Sequence, residues 1–208
     1  MHDATINNYF NNFGVDTGGV GTYAKIYTLT EYLITQFAEQ VGISPDSIPV
    51  IVNHEMNAMW DQGCFNPDST FAFNGVEFNE MLASIMPNPT IKNAWSDIIT
   101  HNSPDFATHL AYARTTLKSL TGLTALEIQG NDGALSVLGD SYVTWGGQLT
   151  DKQKKEIIAE SDAQGFAYGW VEAGQHWWGV LNPLARSYYA NAMAAKTSLM
   201  AYQYVKDK

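Results

Sequence analysis

The chain has a single cysteine, Cys64, in 208 residues, and that scarcity removes several ways of building a protein. No disulfide can form within it, and structural zinc held by several thiolates is excluded. A lone cysteine fits a reducing compartment, and no motif supports Cys64 as a catalytic nucleophile. Basic residues are scarce too: 11 Lys and Arg stand against 21 Asp and Glu, for a formal net charge of -10. Residues 1–150 carry 15 acids and only four bases, Lys25, Lys92, Arg114 and Lys118. Neutralising duplex phosphates takes clustered Lys and Arg, so nucleic acid is not an expected partner.

Long apolar runs are missing as well. Nowhere do about eighteen uncharged apolar residues follow one another, so no membrane span is expected. The first residues, MHDATINNYFNNFG, lack both a basic n-region and an apolar run. No signal peptide is read there, and the expected location is cytoplasmic or within an assembled particle.

Nor does the chain carry a GxxxxGK[ST] loop, a GxSxG elbow or a CxxC pair. His54-Glu55 begins an HExxH match, but Ala58 stands where the second histidine belongs. No glutamate has a histidine three residues on, so the Glu-x-x-His repeat of di-iron bundles is absent. Gly19-Val20-Gly21-Thr22-Tyr23-Ala24 fits GxGxxA by letter, yet no strand precedes it and no βαβ unit follows.

What the sequence does have is helical periodicity. Ile26, Leu29, Leu33, Phe37 and Val41 mark a first helix that Gly42 stops. Ser44-Pro45-Asp46 opens a second, to about Trp60, and a loop follows from Gly63 to Asn74. Shorter helices are expected over Val76–Met86 and Thr90–His101, and a better one from Ser103-Pro104 to about Leu120, closed by Gly122. Residues 123–150 read as a small hairpin or irregular loop, because Asn131-Asp132-Gly133 is a turn signal. A long helix over 151–181, capped by Thr150, and a last one over 183–206, capped by Asn182 with Pro183 in its first turn, form a C-terminal hairpin. The expected fold is therefore all-α: residues 1–24 as an Asn- and Gly-rich aromatic arm, then 25–208 as a single-domain helical bundle of about five to seven helices around that hairpin.

Within the long helix, QGFAYGWVEAGQHWWG (164–179) sorts into two faces at about 100° per residue. Phe166, Trp170, Trp177 and Leu181 form the core-facing stripe. Gly165, Gly169, Ala173 and Gly179 fall beside Asp162, Glu172 and His176. Interior glycines cost roughly 0.5 to 1 kcal/mol each relative to alanine, so something must approach that bare face closely. A packed helix is one occupant. A metal held by Glu172 and His176, at i and i+4, or a planar cofactor such as haem against His176, Trp177 and Gly169, is the other.

Glu55 adds to this set. Ile51, Val52, Ala58 and Met59 surround it on one apolar stripe, where a carboxylate needs a partner or an ion. A metal set of Glu55, Glu172 and His176 follows, with His54 read as a surface histidine and His109 as a boundary one. A site could draw on His54, Glu55, His109, Glu172 and His176 from three helices.

The last helix is apolar on two sides. Leu184, Tyr188, Ala192, Ala195, Leu199 and Tyr202 share one stripe, while Tyr189, Met193, Met200 and Tyr204 line the other. Such a helix is sandwiched, under its own domain or against another subunit. The leading expectation is a non-enzymatic self-assembling subunit with a structural, lattice or virion-like role, working as a homo-oligomer. The alternative is a helical-bundle protein holding a metal or haem between Glu55 and the Glu172/His176 face, possibly as an enzyme acting on an unidentified small molecule.

Overall fold

The computed structural model describes residues 23–61, 63–70, 72, 77–84, 86–146, 151–176, 179–180 and 182–206. Among these it contains eight α-helices and no strand. They are α1 (Tyr23–Val41), α2 (Ile48–Asp61), α3 (Phe78–Ser84), α4 (Pro89–Thr100), α5 (Phe106–Lys118), α6 (Ala125–Gly146), α7 (Lys152–Ala173) and α8 (Pro183–Lys206). The all-α expectation holds. The arm expected over 1–24 lies outside the described residues except for Tyr23 and Ala24, which begin α1.

Local chemistry sets most boundaries. Asn88 accepts from the Thr90 amide ahead of α4, Asp105 from Thr108 ahead of α5, and Asn182 from Leu184 and Ala185 ahead of α8. Gly42 and Gly122 turn the chain with positive φ where the sequence placed the stops. The cap of α7 is Asp151 rather than Thr150: its carboxylate accepts from the Gln153 and Lys154 amides. The carboxylate also suits the positive end of the helix dipole.

Two expectations change. Residues 125–146 form a 22-residue helix, α6, in place of a hairpin or loop. The long helix ends at Ala173, with Gly174 as its C-cap, so Gln175 and His176 lie in the turn beyond it. Gly179 has therefore left the bare helix face on which a continuous helix to 181 would put it. It packs instead against the Ala173 carbonyl.

Helix α7 is the centre of the molecule, buried without interruption from Ile157 to Ala167. Ile157, Ile158 and Ala173 join the core formed with α1, α2, α3 and α8. Ala159, Ala163 and Ala167 join a second core with α4, α5 and α6. The glycine face meets α8. A Cβ on Gly169 would stand 2.8 Å from Met193 Cβ and 3.0 Å from Ala190 Cα, and one on Gly165 would meet the Met193 carbonyl oxygen at 2.7 Å and overlap Thr197. Close helix packing is what these two glycines permit. Met193 and Ala190 fill the space beside Gly169 that a planar cofactor would need.

Both apolar sides of α8 are covered by the chain itself. Tyr189, Met193, Met200 and Tyr204 are buried, as are Ala192, Ala195 and Leu199. Only Leu184, near the start, is strongly exposed among the residues of the two stripes, at 60%.

Candidate functional site

Four segments enclose a cavity of about 300 Å³. Three of them each supply one face of a helix. His54, Glu55, Ala58 and Met59 come from α2, at i, i+1, i+4 and i+5. Gln164, Gly165, Tyr168 and Glu172 share a face of α7, and Met193, Lys196, Thr197 and Met200 a face of α8. Leu82, Met86 and Pro87 close it from α3 and the turn after it. Its walls are mainly apolar and rich in methionine, with a few polar groups converging, as a small-molecule site requires.

At one edge of this cavity three metal-ligating side chains meet. One ligand atom from each of His54, Glu172 and His176 lies within 4.8 Å of the others. His54 Nε2 stands 2.9 Å from Glu172 Oε1, and His176 Nε2 stands 3.3 Å from the same oxygen. The two imidazoles face each other edge to face, with centroids 5.8 Å apart. Ligands of a metal bound at about 2.0 to 2.2 Å are separated by roughly 3 to 3.5 Å, so small side-chain rotations turn this cluster into a coordination set. Two imidazoles and one carboxylate suit zinc and other divalent transition metals.

Glu55 stands apart from that cluster. It is 2% exposed, accepts a short hydrogen bond from Tyr189 Oη, and has Lys196 Nζ 4.0 Å from its other oxygen. The paired-carboxylate reading of Glu55 is the one this geometry matches. Burial, with the Glu55 charge second, pushes the Tyr189 phenol well above its ordinary range and Tyr168 in the same direction. Burial holds the Lys196 ammonium below its ordinary range, opposed by Glu55 and Cys64. Cys64 is fully buried, and burial pushes its thiol up to about 11, which leaves it little thiolate for nucleophilic work near neutral pH.

The five residues considered from sequence therefore divide. His54, Glu172 and His176 come together; Glu55 lines the same cavity with different partners; His109 belongs elsewhere. His109 is buried with its Nε2 2.8 Å from Glu160 Oε1, and Asn79 Nδ2 donates a short hydrogen bond to the other Glu160 oxygen. Trp177 lies outside the described residues, and Gly169 faces Met193 and Ala190 rather than the cavity. Sequence reading passed over Lys196, Tyr168 and Gln164. Lys196 carried the same signal as Glu55, a charge at helical spacing from Met193 and Met200 on an apolar stripe.

No family model matches the chain, and no curated protein or solved structure is significantly similar to it. The class that the fold and site define is an all-helical bundle with a histidine-carboxylate cluster at the edge of an internal cavity.

Proposed function

We propose that the chain binds one divalent transition-metal ion through His54, Glu172 and His176 and acts, as a metal-dependent enzyme, on a small, largely apolar molecule held in the adjoining cavity. The carrying observation is the convergence of three ligand atoms within 4.8 Å beside that cavity. Three protein ligands leave open positions, and an ion bound there would supply Lewis-acid or water-activating chemistry. The protein's share is positional. His54 and Glu172 also line the cavity, so a molecule held by Met59, Leu82, Met193 and Met200 lies beside the ligand set. Those side chains exclude water and adapt to the shape of an apolar guest.

The self-assembling structural reading drew on the aromatic N-terminal arm, which lies outside the described residues except for Tyr23 and Ala24, and on the two apolar sides of α8. One chain covers both sides, so that feature no longer calls for a second copy.

Calorimetric titration of untagged protein with zinc or cobalt tests the proposal. One ion per chain is expected, with binding lost in Glu172→Ala. Heats indistinguishable from dilution would remove it.

A further inference from the structure

The cavity has a second reactive group that the metal ligands leave unused. Lys196 lines it from α8 while only 3% exposed, and its Nζ is 4.0 Å from Glu55 Oε2, outside hydrogen-bond distance. Glu55 takes its hydrogen bond from Tyr189 instead. A surface lysine is a hydrated cation; a lysine enclosed by methionines tends toward the free amine, and burial acts on Lys196 in that direction. A neutral amine in an apolar cavity is a nucleophile toward carbonyl carbon.

Gln164 supplies the independent observation. Its side chain is fully buried and lines the same cavity, yet neither amide atom has a hydrogen-bond partner among the described residues. A buried amide left unbonded is costly, and an oxygen-bearing ligand removes that cost. Charge then narrows the ligand. Glu55 and Glu172 both line the cavity, with Lys196 as its one lysine or arginine among the described residues. An anionic ligand would bring a third negative group to one buried amine; a neutral carbonyl compound brings none.

We infer that Lys196 forms a Schiff base with a small apolar aldehyde or ketone entering this cavity, with the Gln164 amide donating to the carbonyl oxygen. In that step the Nζ lone pair bonds to the carbonyl carbon as the C=O bond opens. The oxygen leaves as water with both hydrogens of the neutral amine, and a C=N bond remains. No oxidant or reductant takes part. The covalent step itself engages none of the three metal ligands and is tested on metal-free protein, so its failure is distinguishable from failure of the metal site.

The full chain, stripped of divalent metal, is incubated with hexanal and sodium cyanoborohydride at neutral pH, then digested and mapped by mass spectrometry. The expected result is one reduced adduct per chain, at Lys196, formed well ahead of any adduct at exposed lysines such as Lys118, because burial leaves more of the Lys196 amine unprotonated. Lys196→Arg keeps a long basic side chain in the cavity and loses the fast adduct. Should that variant fail to fold, the wild-type peptide map decides alone. Adducts spread over exposed lysines with Lys196 unmodified, or modified no faster than they are, overturn the inference.

Discussion

His54 Nε2 and Glu172 Oε1 lie 2.9 Å apart across 118 positions of sequence, joining α2 to the last turn of α7. His176 approaches the same oxygen from the turn after α7. A metal that binds the folded chain through these residues stabilises it by mass action. Zinc at a hundredfold excess over its Kd should raise the unfolding free energy by about 2.7 kcal/mol. His54→Ala should remove most of that increment while leaving metal-free stability nearly unchanged, because His54 is half exposed. Urea unfolding of both proteins with and without zinc checks it.

Glu55 and Lys196 are buried together, so removing one partner strands the other. Glu55→Ala should cost about 3 to 5 kcal/mol, and the double variant Glu55→Ala with Lys196→Met should cost less than the sum of its two single variants. Chemical denaturation of the single and double variants measures the coupling. Equal, additive losses would mean that the pair does not interact.

Gly165 lies where α7 and α8 come closest. Gly165→Ala puts a methyl against Thr197 and 2.7 Å from the Met193 carbonyl oxygen, and backbone cannot yield as a side-chain tip can. The expected loss is about 1 to 3 kcal/mol, despite the better helix propensity of alanine. A gain in stability would show that the helices are not in close contact there.

Cys64 gives a pH dependence with a definite sign. Its folded-state pKa of about 11 lies above the reference value of 9.0, so the folded chain holds this proton more tightly than the unfolded one. The contribution is fully present below pH 9, falls as pH rises past it, and is gone above 11, with a span of about 2 to 3 kcal/mol. Cys64→Ala should therefore flatten the decline in stability between pH 8.5 and 11 relative to wild type (~2 kcal/mol). Denaturation curves across that range test it, and a thiol reagent at pH 7.5 should label native Cys64 only at the rate of unfolding.

The helices and their ends were largely legible because caps and stops are local. Asn88 and Asn182 accept from amides two or three residues on, and Gly42 needs only its own φ. Helix α6 was hidden by glycines that read as turn residues but serve packing: a Cβ on Gly133 would strike the Phe166 ring. That contact joins residues 33 positions apart, which no local pattern contains. The candidate site was half legible for a related reason. An apolar stripe marks Glu55 correctly as buried, but burial alone does not separate a paired carboxylate from a metal ligand. The ligand cluster instead lies toward solvent, where the neighbouring His54 points. His176 joined it through the turn at Gly174, not through the continuous helix assumed from periodicity.

The most direct test of the account is the visible spectrum of cobalt-loaded protein, compared between His54→Ala and Glu55→Gln. Cobalt d–d bands are expected in wild type and Glu55→Gln at one ion per chain, with their loss in His54→Ala. Bands that survive His54→Ala but vanish in Glu55→Gln would contradict it, as would their absence from the wild-type protein.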